Sequence, residues 1–473
     1  MFMDNNQNEY LSHSQEFHTT CEIYHKLVEK EMLPSVYCSL YSFLHFGIRQ
    51  ELNTNLFFQK QILKYFLNSL SLGKENTKKI SDVAFLYENS NINYLGIQSQ
   101  ISKICLEKNI RTEILHNYKQ DKFDYSFDKI SEIKTPYPLI PYKERKKIYE
   151  QCKLLTFELK QKFPFCQDIT NEDLNKNLFR FAISIESLSN VFISMFESSQ
   201  VKVLFLLNSM SSINVSAQLA ARKLKLRTVL VPHGFPQKSQ YPINSDNIVS
   251  FCPHHDRYLQ TLSSSHTSVH GLGWLEPNCL IESNPFLKEL QERDRSSSNK
   301  YKILVLSQLT GYKVHKCPSL VSLFPRLLEE LALISEIDSV SIRLHPNELN
   351  DFILATLLSN IHGLKINVSK NQSIGQDLIA CDVVIAFSST GLLYAPYLGL
   401  NGIEIRNEEI DSVWGETVLP NESVLHINKE KDWSKLRELI LRKNFPRGNE
   451  VFYNWKDETQ SFATFICETL HLA

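Results

Sequence analysis

The sequence predicts an α/β chain with two Rossmann-like domains facing a cleft, preceded by a helical N-terminal extension. Three observations predict it. Short apolar runs of strand length alternate with amphipathic helical stretches between residues 82 and 280, and again between 301 and 405. A polar segment, 282–300, ends Ser-Ser-Ser-Asn-Lys and separates the two series. The chain has 473 residues, room for two such domains and an addition at about 100–200 residues per domain. Hydrophobic residues are 42% and charged residues 22%, a globular balance that excludes a disordered or fibrous chain. Lys plus Arg number 51 against 52 Asp plus Glu, a net charge of −1. That balance excludes the broad electrostatic footprint of a nucleic-acid binder, so any anion must be held by a local site.

The elements follow in order. Residues 1–80 read as helical, because LPSVYCSLYSFLHFGI and LFFQKQILKYFLNSL repeat apolar residues at three-to-four spacing. The opening MFMDNNQNEY is polar and acidic, without the basic and apolar regions of a secretory leader. DVAFLYE, LGIQSQISKICLEKN and RTEIL read as strand, helix and strand. Residues 121–142, Pro- and aromatic-rich, read as an irregular loop. The next helix carries Ile148, Cys152, Leu155 and Leu159 on one stripe, and seven Lys/Arg against three Glu from 143 to 162. Such a basic face suits either solvent or an anionic membrane surface. NLFRFAISIESLSNVFISMFESS is helical, VKVLFLLN a strand, VSAQLAARKLKL a helix, and RTVLV, ending in PHG, a strand. NIVSFCP is a strand, HHDRYLQTL a short helix, and SVHGLGWLEPN runs into the linker.

In the second series YKILVLS, SVSIRLHP, LKINVS, CDVVIAFSS and NGIEI are strands, with NGIEI the last. The uncharged window 383–403 spans 21 residues, but its Ser, Pro and Gly residues make it strand, loop, helix and loop rather than a membrane span. The predicted boundaries are an extension over 1–80, an acceptor domain over 81–285, a nucleotide-donor domain over 300–440, and a terminal helix over 441–473 packing back on the first domain. Ten scattered cysteines without a CxxC pair imply reduced, mostly buried thiols and a cytoplasmic chain.

In sheets of this kind ligands sit beyond the carboxyl ends of the strands. His233 and Gly234 lie on a Pro-bounded turn directly after the strand RTVLV, where a neutral imidazole can act as general base. Arg343 and His345 alternate onto one side of their strand before Pro346 ends it, a pair suited to phosphate. Ser388, Ser389 and Thr390 stand where a strand turns into a helix, adding hydroxyls to the free amides of a helix N-terminus. Ser307, Gln308, Thr310 and Gly311 form the loop after the first strand of the second domain, also phosphate-facing. Glu404 is a candidate for ribose hydroxyls, and Glu88, with Asn89, for the acceptor. His254 and His255 read as a helix start, since no partner at zinc spacing completes a metal site. The chain has no GxxxxGK[ST], GxGxxG, HExxH or GxSxG motif, and no DxD, so no metal site is expected.

PHGFP, RLHP and AFSSTGLLYAPYLGL, in that order after three strands, resemble bacterial capsule and lipopolysaccharide glycosyltransferases of the GT-B fold. The likeness is strongest to CMP-sugar-dependent sialyltransferases, polysialyltransferases and Kdo transferases. It covers mainly residues 200–410 and implies that His345, Pro346, Ser388 and Ser389 bind the donor's cytidine monophosphate. The acidic D/E-D/E-G triplet of polysialyltransferases is absent. The His-Gly turn also resembles CDP-glycerol glycerophosphotransferases, whose His is the implied base, so His233 and Glu88 both stand as base candidates. The expected activity is metal-independent inverting transfer of a nonulosonic-type sugar from a CMP-sugar co-substrate, with no other cofactor, to a glycan or glycolipid acceptor. The protein is then cytoplasmic, with or without peripheral contact at the cytoplasmic face of the inner membrane, and has no nucleic-acid partner. Other expectations compatible with the sequence are a CDP-glycerol or UDP-sugar donor, a UDP-sugar 2-epimerase, and a GT-B-like non-catalytic scaffold.

Overall fold

The structure is a computed structural model. It describes residues 22–23, 36, 80–87, 92–116, 127–133, 140–163, 166–167, 169–208, 211–232, 234, 243–264, 266–275, 281, 286–287, 300–308, 317, 319–345, 364–369, 373–446, 451–453 and 455–471. Apart from Glu22, Ile23, Val36 and Ile80, the predicted extension lies outside the described residues, as do Glu88, Asn89, His233, Thr310, Gly311 and Pro346.

The first series folds as β1 (Val83–Tyr87), α1 (Ile92–Glu107), β2 (Thr112–His116), β3 (Lys129–Glu132), α2 (Tyr142–Lys162), α3 (Asn171–Ser199), β4 (Val203–Leu206), α4 (Ser212–Lys223), β5 (Arg227–Leu230), β6 (Asn247–Ser250), α5 (Pro253–Leu262) and β7 (Ser268–Gly271). Its seven strands are all parallel, in the order β3-β2-β1-β4-β5-β6-β7. The second series folds as β8 (Tyr301–Leu306), α6 (Ser319–Ala332), β9 (Ile337–Arg343), β10 (Ile366–Val368), α7 (Ile374–Ile379), β11 (Val383–Ala386), β12 (Asn401–Arg406), α8 (Glu408–Trp414), β13 (Val424–His426), α9 (Lys435–Leu441) and α10 (Trp455–His471). Its six strands are also parallel, in the order β10-β9-β8-β11-β12-β13.

Three strands depart from the expectation. β3 lies within the predicted loop, β7 where a linker was expected, and β13 follows the strand expected to be last. All three are sheet edges, where one flank lacks a partner and the run is short and part-polar, so no continuous apolar signal marks them. The central strands are buried on both faces, as parallel sheets require.

Alternate residues of each strand enter different cores. Ala84, Leu204 and Leu230 of the first sheet and Leu304, Val384 and Ala386 of the second join one apolar cluster, so the two units share a core. Phe85, Phe205 and Val229 face the other side of the first sheet. There α10, which ends the chain, packs back through Phe462, Ala463, Phe465 and Ile466 against Leu95 and Ile101 of α1. α3 is long and apolar enough to cross a membrane by composition. It lies between α2 and α4 instead, burying Leu178, Phe181, Ile185 and Phe192. Its ends are fixed locally: the Thr170 hydroxyl accepts from Asp173 N at 3.1 Å, and Gln200 closes it with φ 56°. Among the described cysteines none is disulfide-bonded; burial pushes the thiols of Cys105, Cys152, Cys166 and Cys252 up to about 12, which keeps them protonated.

Candidate functional site

In each sheet the strand order reverses at one place, between β1 and β4 in the first and between β8 and β11 in the second. A doubly wound sheet opens a crevice beyond the carboxyl ends of those strands. In the second sheet that crevice is bordered by Ser307 after β8 and by Ser388–Ser389–Thr390 after β11. Ser307 N donates to the Arg343 carbonyl at 2.8 Å, tying the ends of β8 and β9 together. Gly391 leaves the Ser-Ser-Thr turn no room to withdraw from β8, since a Cβ there would lie 2.8 Å from Leu306 Cδ1.

Arg343 comes to this rim already oriented. Its Nη1 donates to Asp377 Oδ2 at 2.6 Å, and the other oxygen of Asp377 accepts from Ser369 Oγ at 2.6 Å. Asp377, nearly buried on α7, therefore fixes the guanidinium at the strand end. His345, two residues on, is exposed.

The Ser-Ser-Thr turn does not present three converging hydroxyls, as the sequence suggested. Ser388 is buried at φ +70°, in the left-handed region, which turns its hydroxyl inward to accept from Arg406 Nη1 at 2.9 Å. Ser389 Oγ caps the turn by accepting from Gly391 N at 3.2 Å. Thr390 remains at the rim. The expected helix is a 3-10 turn, Thr390–Leu393, followed by one helical turn, Tyr394–Tyr397, so its dipole is weaker than a full helix would supply.

Glu404 also departs from the expectation. The side chain has 0% exposure, as does Arg406. Its Oε1 accepts from Arg406 Nη1 at 3.0 Å, and its Oε2 accepts from Val418 N at 2.7 Å and Leu419 N at 2.9 Å. With both oxygens engaged inside the protein, Glu404 is an internal anchor and does not reach a ribose. Burial pushes its carboxyl above the ordinary range, and the Arg406 charge pulls it back in part. Arg406, which was not among the expected site residues, is the hub: it also donates to Asp411 Oδ1 at 2.6 Å and to the Gly415 carbonyl. Its signal in the sequence was the pair Glu404 and Arg406 at i, i+2 on one face of an apolar strand.

The loop that Glu404 holds is gripped from the first domain. His254 Nε2 lies 3.0 Å from Thr417 Oγ1, His255 Nε2–H donates to the Val418 carbonyl at 3.2 Å, and Tyr258 OH donates to the Trp414 carbonyl at 3.4 Å. The two histidines do begin a helix, as expected, and the same turn forms a bridge between the domains. Beside it the Trp274 ring lies tilted 4.7 Å from Tyr394 and stacked 5.9 Å from Phe452. Closer to the crevice, a Cβ on Gly234 would lie 3.1 Å from Thr390 Oγ1. Gly234, which follows His233 in the sequence, thus lies against the Ser-Ser-Thr turn. On the same side of the cleft, Asn208 after β4 accepts from Asn214 Nδ2 at 3.1 Å and Ser211 caps α4, a polar corner the sequence did not single out.

His255 makes the bridge acid-sensitive. Burial, aided by His254, holds its imidazole down at about 3. An unfolded histidine titrates near ~6.5, so between ~6.5 and ~3 the unfolded chain binds a proton that the folded chain does not. Stability is therefore complete above ~6.5 and declines as pH falls, at up to ~1.4 kcal/mol per pH unit. Urea midpoints measured between pH ~7 and ~5 should show this decline, and His255→Gln should flatten it. An unchanged slope in the variant would place the acid sensitivity elsewhere.

No family model matches the chain, and no curated protein matches it. Solved structures do. The UDP-GlcNAc 2-epimerase of Methanocaldococcus jannaschii, in complex with UDP-GlcNAc and UDP, matches at 13% identity and TM-score 0.48, over 82% of this chain and 99% of that one. The Neisseria meningitidis UDP-GlcNAc 2-epimerase bound to UDP-GlcNAc matches at 12% and 0.47, over 82% and 100%. A variant of the wall teichoic acid polymerase TagF matches at 12% and 0.40, over 88% and 94%. The fold that the structure itself shows is two doubly wound parallel sheets, with the last helix returning to the first. Among the described residues no group of three or more His, Cys, Asp or Glu side chains is arranged to hold a metal ion.

Proposed function

We propose that the chain is an inverting glycosyltransferase that moves a nonulosonic-type sugar, Kdo, sialic or a related acid, from a CMP-activated donor to a surface-glycan or glycolipid acceptor. The observation that carries this is the approach of Gly234 to Thr390, which sets the turn after β5 against the turn at the switch point of the second sheet. A donor held at one lip is then in reach of a base from the other. The donor's phosphate lies along Ser307, Arg343, His345 and the Ser389–Thr390 turn. Arg343, held by Asp377, and His345 stabilise the charge that grows on that phosphate as the glycosidic bond breaks. His233 takes the proton of the acceptor hydroxyl, whose oxygen attacks the anomeric carbon from the face opposite the leaving CMP. Glu88, directly after β1 at the switch point of the first sheet, is the second base candidate. The protein works in the cytoplasm with the nucleotide sugar as its co-substrate.

Thermal shift with CMP, CDP, UMP, UDP and GDP tests the donor, since a ligand that binds only the folded chain raises the midpoint by linkage. CMP should give the largest shift, ~2.7 kcal/mol at a hundredfold excess over its Kd. Ser389→Ala and His345→Ala should each reduce it. A larger shift with UDP would overturn the CMP donor in favour of a UDP-sugar reaction, transfer or 2-epimerisation. A larger shift with CDP would point to CDP-glycerol, and none with any nucleotide to a non-catalytic scaffold.

A further inference from the structure

We propose that the outward face of α2 docks the protein on an anionic lipid surface. α2 has 21 residues, ~30 Å at 1.5 Å per residue. Its seated side carries Ile148, Cys152, Leu155 and Leu159, all fully buried in one cluster with α3, Ile23 and Val36, and flanked by the buried Thr156 and Glu158. The opposite stripe carries Tyr142, Lys146, Lys153 and Phe157, with Lys143, Lys147 and Leu154 beside it, all exposed.

Two features of this stripe point to lipid. Among the described residues eight large hydrophobic side chains are exposed, and three of them stand on this one helix: Tyr142 at 79%, Leu154 at 53% and Phe157 at 61%. A merely solvated face has no use for that concentration. Around them four lysines outnumber the acids. Lys143, Lys146, Lys147 and Lys153 are exposed there, and Glu150 is the one acid on that face, bonded to Lys153 at 3.2 Å. The acid Glu158 is buried. Lysines flanking exposed aromatic and aliphatic side chains match an interface where headgroup phosphates lie above acyl chains. The ammonium groups meet the phosphates while Leu154 and Phe157 enter the apolar boundary. The long lysine stems reach past the rings to do so. A nucleic acid would match the charge and leave the three apolar side chains in water. This surface is independent of which nucleotide the cleft binds.

Flotation of the full chain with phosphatidylcholine vesicles, with and without ~30% phosphatidylglycerol, tests it. The anionic lipid should raise the bound fraction about tenfold, and ~0.5 M salt should remove most of the gain. The pair Leu154→Ser with Phe157→Ser should lower binding about tenfold, as should the pair Lys146→Glu with Lys147→Glu. These are surface positions, so thermal melting should stay as in the parent chain. The proposal is overturned if the parent chain ignores anionic vesicles or if both variants float as it does. It is equally overturned if light scattering shows that the serine pair only dissociates a dimer, which would make the face a contact between two copies.

Discussion

Arg406→Met should lower the unfolding free energy by about 3–5 kcal/mol, the range for removing one partner of a buried ion pair. The size follows from what the guanidinium leaves behind. Glu404 would keep two backbone amide donors but lose its counter-charge at 0% exposure. Ser388 would lose the donor that its inward rotamer serves, and the Gly415 carbonyl and Asp411 would lose theirs. Arg406→Lys keeps the charge without the planar fork that reaches several acceptors at once, so it should fall between. Adding Glu404→Gln to Arg406→Met should recover ~1–2 kcal/mol, because the stranded charge goes with it. Urea titration followed by the fluorescence of Trp414 and Trp433, both in the core of the second sheet, reads these differences. If Arg406→Met cost less than ~1 kcal/mol, the network would be surface-like in its energetics and not the hub described here.

His233→Ala should lower kcat by about 10²–10⁴ while the donor KM changes little, the signature of a group that acts only in the transition state. The acid limb of the rate profile, where a histidine base becomes protonated, should vanish with it. Glu88→Gln is the paired measurement. If it costs more than His233→Ala, the base belongs to the end of β1, and the Pro-His-Gly turn shapes the cleft through Gly234 alone. If neither variant loses ~10-fold, transfer by general base catalysis from either residue fails.

The fold was legible where burial is symmetrical. β1, β4, β8 and β11 are covered on both faces, so VAFLY, VLFL, YKILVL and VVIA stand out as apolar runs bounded by polar turns. β3 and β7 were not legible because KISE and SVHG, at the two edges of their sheet, alternate with solvent and carry polar residues. The strand-end placement of the candidate residues Ser307, Arg343 and Ser388 was legible from the same logic, since the residue after an apolar run is the residue at a strand's carboxyl end. The directions of the side chains there were not. Ser388 turns inward through a left-handed backbone that serine sequence gives no hint of, and Glu404 turns inward because Arg406 and a loop 14 residues away supply its partners. Those partnerships are tertiary, and periodicity within one strand places Glu404 and Arg406 on one face without saying what covers it.

The return of α10 to the first sheet has a consequence for how the chain is made. The cluster that Phe85, Phe205 and Val229 form with Leu95 and Ile101 of α1 also takes in Phe462 and Ile466. A nascent chain therefore carries part of that apolar cluster uncovered through synthesis of the whole second sheet. The two sheets cannot mature in strict succession, and a chain cut before Trp455 would keep that part of the cluster in water and tend to self-associate.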